Sequence, residues 1–241
     1  IKDLSRATHE LKEIQVQNSI IAASETNRLI ASATATTIAQ MAAADVLTYD
    51  ALQGFEQALL AEDVPMETEI IEGTTKIDTK VVEDGWVLYI NRELMPSIRK
   101  VKGPDGTSLA FIPKSQYAAG TTLLDGEFGA IGSFRFVVVP DLSAYRGAGS
   151  LVSADTATDK ANRHATGGKY DIFPMIVVGS DSFSTTAFTD KDVTAAHIPP
   201  VRDVYNDMSA QVGGVVSNWT YGFLNYRPER IRQLAVVSQK V

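Results

Sequence analysis

Three histidines, His9, His164 and His197, are the only imidazoles in the chain, and no two stand at the close spacing that presents a metal-ligand pair. His9 falls on the polar side of a helical pattern and the other two fall in loops, so three unrelated surface histidines are expected. Asp181, Ser182 and Ser184 lie upstream of His197 and offer the residue types of an acid, a nucleophile and a base. The G-x-S-x-G elbow that exposes such a serine is absent, however, and serine-rich loops are common. A serine hydrolase using the His197 region is therefore the rival reading, and no catalytic residue is assigned. The chain has no cysteine, which removes disulfides, thiolate zinc sites and thiol nucleophiles and leaves a reducing cytoplasm as the default compartment.

Phosphate chemistry fares no better. Gly126, Gly129 and Gly132 could suggest a phosphate cradle, but the segment leads into the apolar run Phe134–Val139, whereas a dinucleotide loop must open a helix. Glycines at a tight turn before a strand are the better account. Gly168-Lys169 is followed by Tyr170 and lacks the spacing of a P-loop. Asn218-Trp219-Thr220 fits a glycosylation sequon inside a strand pattern and reads as chance. Tyr221, Phe223 and Tyr226 with Arg227 and Arg230 could stack bases, yet alternate aromatics on a strand more often face a core or a neighbouring subunit. Twenty-two basic against 29 acidic residues leave a net charge of −7, which argues against a surface made to neutralise phosphates. No cofactor, metal or specific nucleic-acid site is expected.

The elements that would carry any site read as follows. Leu4, Ala7, Leu11, Ile14 and Ile21 recur at the helical period and predict one long helix from residue 3 to about 31. Residues 29–44 carry no charge but too few large apolar side chains to span a bilayer, and read as a lightly packed connector. Thr48 caps a second helix, about Tyr49 to Glu62, with Leu52, Phe55 and Leu59 on one face and Pro65 beyond its end. Glu69–Glu72 and Ile77–Val81 read as two strands around the turn Gly73–Lys76. Trp86–Ile90 reads as a strand buried on both faces, Pro96–Lys100 as a short helix and Lys102–Gly106 as a turn. Further strands are Phe134–Val139 and Asp171–Val178, with a long surface loop, Asp141–Gly168, between them that is exposed, intersubunit or disordered. After a polar stretch to Arg202, Val215–Phe223 and Arg230–Val237 read as a closing β ribbon. Without regular βαβ alternation the class is α+β. At 241 residues, with 44% hydrophobic and 21% charged residues, the chain is a folded globular protein of one large or two small domains. Its first residue is Ile1, with no basic-then-apolar leader, so further sequence ahead of Ile1 is expected.

Several segments, in fixed order, resemble the major capsid (coat) proteins of tailed bacteriophages, specifically those of N-four-like phages. They are Asp45-Val-Leu-Thr-Tyr-Asp-Ala-Leu52, Lys76-Ile-Asp-Thr79, Val87-Leu-Tyr-Ile-Asn-Arg-Glu-Leu94 and Gly126-Glu-Phe-Gly-Ala-Ile-Gly-Ser-Phe-Arg-Phe-Val137. Phe173-Pro-Met-Ile-Val-Val-Gly179, Asp207-Met-Ser-Ala-Gln211 and Trp219-Thr-Tyr-Gly-Phe-Leu224 follow. Gly132-Ser133 stands where the family more often has a polar-glycine pair, and Met208-Ser209 where Pro-Leu is common. The resemblance implies the Hong Kong 97-type capsid fold, with a long spine helix, an axial domain of mixed strands and helices, and a peripheral β ribbon that includes 230–237. It implies a peripheral domain over 1–44, an axial domain over 45–180 and a return to the peripheral domain over 181–241, with an N-terminal arm and extended loop missing before residue 1. It further implies a non-enzymatic subunit of the icosahedral head shell around double-stranded DNA, forming hexamers and pentamers. Cement or decoration, scaffold and portal proteins are its implied partners, and it is assembled in the host cytoplasm, not on a membrane. A tail or baseplate structural protein is the alternative within the same class.

Overall fold

The structure is a computed structural model that describes residues 2–72, 79–117, 123–187, 193–202, 209–211, 213–219 and 221–240. In chain order the elements begin with α1 (Lys2–Glu25), β1 (Arg28–Ile30), α2 (Tyr49–Ala61), β2 (Trp86–Asn91) and α3 (Met95–Arg99). Next come β3 (Ile112–Pro113), β4 (Glu127–Ile131), β5 (Phe134–Val139), β6 (Ala165–Thr166), β7 (Lys169–Tyr170) and β8 (Ile172–Val178). The last are β9 (Phe183–Ala187), β10 (Val193–Ile198), β11 (Gly214–Trp219), β12 (Tyr221–Asn225) and β13 (Ile231–Val237). The chain divides into a smaller unit, Ile1–Ile20 with Phe183–Tyr226, and a larger one, Ile21–Ser182 with Arg227–Val241. Among the described residues no helix is long and apolar enough to cross a membrane.

A seven-stranded sheet ordered β1-β13-β8-β2-β5-β4-β3 organises the larger unit. β1 runs parallel to β13 and β2 parallel to β5, while the other pairs are antiparallel. The central strands are apolar runs buried along nearly their whole length, as strands covered on both faces must be. α2 begins where Thr48 accepts a hydrogen bond from the Ala51 amide, and it lays Leu52, Phe55 and Leu59 into the main core. There Phe55 stacks on Phe134 at 5.9 Å, and the buried Trp86 donates its indole N–H to the Val64 carbonyl. α3 and the turn at Asp105-Gly106 form as expected, the Asp105 carboxylate accepting from Thr107 and Ser108.

Four expectations are corrected here. The first helix ends at Glu25, because Leu29 and Ile30, which continue its apolar period, pair instead with Leu234 and Ala235 of β13. The segment after it is closely packed, since Met41 and Ala43 are fully buried against Tyr170, Ile172, Ala235 and Val237. Strand 231–237 lies inside the large sheet between β1 and β8 and not in a ribbon, because its side chains are buried at every position. Of the strand pair expected at 69–81, isolated bridges such as Ile71–Val82 form among the described residues, and 73–78, with the turn and the start of the second strand, lie outside them.

The smaller unit combines the first 20 residues with β9–β12 and β10–β11, each an antiparallel pair. The stretch read as polar chain before Arg202 is thus strand, and β11 and β12 pair with it and not with 231–237. Buried Thr8 of α1 meets Ser217 of β11 at 3.0 Å, and Phe183 stacks on Phe223 at 5.3 Å.

Candidate assembly site

The residues weighed for catalysis lie on separate elements. His197 stands exposed on β10 opposite Val215, not in a loop, and Ser182 Oγ is buried without a hydrogen-bond partner among the described residues. Ser184 is an exposed residue of β9, paired across the ladder with Leu224. His9 is exposed on α1. Among the described residues no group of three or more His, Asp or Glu side chains is arranged to hold a metal ion. A cavity of about 360 Å³ opens at the start of α2 between Thr48, Ser97, Lys100, Lys102 and Gln239, but Ser97 is already paired with Ser238 and Gln239.

The glycine segment is a hairpin. Ile131 pairs with Phe134, so Gly132 and Ser133 alone make the turn, and Gly132 takes the left-handed φ of 53°. Ser133 carries contacts of its own, its hydroxyl donating to Glu56 of α2 at 2.8 Å and its carbonyl accepting from the Trp86 amide at 2.9 Å. Within the same segment lies a feature that the sequence reading missed. Glu127 and Arg135, 1% and 3% exposed at their side chains, form a two-pronged ion pair with both contacts at 2.9 Å. The Leu124 amide also donates to Glu127, and the guanidinium lies over the Tyr117 ring. The available signal was two opposite charges set within otherwise apolar strands.

Residues 141–168, read as an exposed or disordered loop, are strapped down. Asp155 accepts from the amides of Ala43 and Ala157 and from the buried Tyr170 hydroxyl, and the two amide donors hold its carboxyl below the usual range. Burial pushes Tyr170 up to about 12. Arg163 reaches the Ala43 carbonyl at 2.8 Å and also pairs with Asp159. Arg146 clasps Glu93 at 2.6 Å and Asp171 at 3.1 Å and lies over the Phe173 ring. That contact lowers the Glu93 pKa and raises that of Arg146. His164 sits 3.4 Å from Glu93, and burial pulls its pKa down against that carboxylate. Small residues hid this arrangement, because polar groups reach distant partners and the strap's apolar contacts come largely from scattered residues such as Leu142, Ala148 and Val152.

Large apolar side chains stay exposed in both units, with Leu60, Ile70, Leu109 and Leu151 in the larger one 50–62% exposed. Leu11 and Ile14 of the predicted apolar stripe are 52% and 48% exposed, and Ile198 and Leu224 of the ribbon 51% and 65%. Only Ile21, at the stripe's far end, is buried. The described residues offer apolar faces and strand edges suited to packing against another protein.

No protein-family model matches the chain. Over 219 residues it is 34% identical to the major capsid protein of Pseudomonas phage KPP21, covering 85% of this chain and 52% of that protein. The chain therefore spans about half the length of the curated relative it matches. Among solved structures it is similar to the capsid of Ralstonia phage GP4, with a TM-score of 0.52 and 13% identity over 88% of this chain and 53% of that one. The chain thus has a phage-capsid fold, and its sequence is related to that of a phage major capsid protein.

Proposed function

We propose that this chain is a structural subunit of the head shell of a tailed phage and catalyses no reaction. The observation that carries this reading is the 34% identity to a phage major capsid protein across 85% of the chain. The capsid-like fold supports it. In the finer reading the coat is of the Hong Kong 97 type and N-four-like, with α1 as its spine helix. The peripheral domain then comprises 1–44 and 181–241 and the axial domain 45–180, with β1 and β13 completing the central sheet. Subunits close into pentamers and hexamers through repeated heterologous contacts, so that modest energies per contact add up and closure limits growth. A net charge of −7 suits a wall that must release densely packed DNA, because it gives phosphates little to bind. Scaffold, portal and decoration proteins are the further partners, and the virion is the destination after assembly in the host cytoplasm.

Light scattering and sedimentation over a range of salt and protein concentrations test this reading. Capsomers or larger closed species are expected, together with no turnover of a nitrophenyl ester above background. A monomer under all conditions, or ester turnover lost in His197→Ala, overturns it.

A further inference from the structure

The dipeptide Asp-Gly occurs at 84–85, 105–106 and 125–126, and the chain has no Asn-Gly. In such a pair the glycine amide nitrogen can attack the preceding side-chain carboxyl carbon, because no Cβ shields it. The structure restrains that attack at two of these places. Gly85 is buried, its amide donates to the Thr68 hydroxyl at 3.0 Å, and an added Cβ there would fall 1.8 Å from the Ser133 carbonyl oxygen, so the backbone has no room to turn. Gly106 donates to the Gly103 carbonyl at 2.9 Å, and the Asp105 carboxylate accepts from the Ser108 hydroxyl at 2.8 Å and from the Thr107 and Ser108 amides at 3.1 Å. Those donors, the Ser108 hydroxyl foremost, hold the Asp105 carboxyl down at about 2, in the ionised form that is the poorer electrophile.

At 125–126 neither restraint is present among the described residues. Asp125 and Gly126 are both exposed, the Gly126 amide and the Asp125 carboxylate make no hydrogen bond there, and Gly126 takes a left-handed φ of 75°. The two form the centre of a turn closed by the Glu127 amide on the Leu124 carbonyl at 3.1 Å. That turn also lets the Leu124 amide donate to Glu127 Oε2 at 2.8 Å, and so supports the buried ion pair with Arg135. We propose that Asp125-Gly126 is a site of spontaneous isomerisation to a β-aspartyl linkage, and that its conversion loosens the Glu127–Arg135 pair. The Gly126 nitrogen bonds to Asp125 Cγ, and the carboxyl OH leaves with the amide hydrogen as water, closing a succinimide. Water then adds at the former main-chain carbonyl carbon of Asp125, the bond from that carbon to the Gly126 nitrogen breaks, and the freed carboxyl becomes the side chain. The main chain now runs through Cβ and Cγ, one methylene longer, inside the turn that sets Leu124 against Glu127. A buried carboxylate whose amide donor is displaced is destabilised. The chemistry needs only the folded chain, so its failure leaves the shell-subunit reading untouched.

Ageing the purified chain in warm neutral buffer tests it, read by peptide mapping and by methyl transfer from S-adenosylmethionine with an isoaspartyl methyltransferase as reagent. The peptide containing 125–126 should acquire an isobaric β-aspartyl form roughly tenfold or more faster than the peptides containing 84–85 and 105–106, whereas in urea, with the local restraints gone, the difference should collapse. The melting temperature of the folded chain should fall as the converted fraction grows, and the Glu127 amide should lose protection from hydrogen exchange. Asp125→Glu keeps the charge at an exposed position and cannot close the same ring, so it should stay unconverted and melt unchanged after ageing. No conversion at 125–126 in the folded chain, or conversion at 84–85 or 105–106 just as fast, overturns the inference. Conversion at 125–126 without a fall in melting temperature overturns its coupling to the buried pair.

Discussion

Replacing Arg135 by methionine tests how the core of the larger unit is held. The substitution removes both 2.9 Å contacts to Glu127 and leaves without its counter-charge a carboxylate that is 1% exposed and still accepts from the Leu124 amide. Breaking a buried pair in this way costs about 3–5 kcal/mol, because the surviving charge stays desolvated without its counter-charge. For a body of this size each kcal/mol lowers the melting temperature by about 2–4 °C, so a fall on the order of 10 °C is expected in a thermal scan. Glu127→Leu/Arg135→Met should recover most of that loss, since an apolar pair of similar volume avoids the desolvation altogether. Urea unfolding of the parent, both single variants and the double variant closes the cycle. If Arg135→Met unfolds within about 0.5 kcal/mol of the parent, as an ordinary surface change does, the pair is not the buried strut described here.

Four further outcomes follow from the same geometry. Gly85→Ala should be strongly destabilising in urea melts, because its Cβ would fall 1.8 Å from the Ser133 carbonyl oxygen that the Trp86 amide needs. Phe55→Ala should lower unfolding free energy by about 3–5 kcal/mol, as expected for deleting a fully buried ring packed on Phe134. Asp155→Ala should speed hydrogen exchange across 141–168 while leaving β2 and β5 protected, since three donors to the strap lose their acceptor. Acidification should loosen the strap in two stages. His164, whose pKa is lowered by burial, contributes stability that is present above its unfolded value near 6.5 and lost as pH falls through its lower folded value. Glu93 and Asp155, also lowered, contribute stability that is present above the ordinary carboxylate range and lost as pH falls through their depressed values. A pH series of thermal melts should therefore show an upper stage that disappears in His164→Gln and a lower one that remains.

The larger unit was legible wherever burial wrote a strong pattern into the chain. Thr48, the Leu52–Phe55–Leu59 face and Pro65 placed α2 within a residue of its observed end, and the apolar runs at 86–90, 134–139 and 171–178 marked central strands. The ribbon was not legible, because β9 and β10 are largely Ser, Thr and Ala, and exposed strands show no contrast between their two faces. α1 was overextended because Leu29 and Ile30 keep a helical period while satisfying β13, a partner some 200 residues away. The stripe on α1 was read correctly as apolar, but not as uncovered, since periodicity reports that a face is to be buried and not which molecule buries it. The strap was hidden for a different reason: Asp155, Arg146 and Arg163 act through hydrogen bonds to distant backbone and side chains, which leave no periodic trace.

Electron microscopy of the purified protein, expressed with the sequence that naturally adjoins it, tests the shell-subunit proposal most directly. Closed particles with fivefold and sixfold clusters of subunits are predicted. Open tubes, flat rings or a persistent monomer would contradict it.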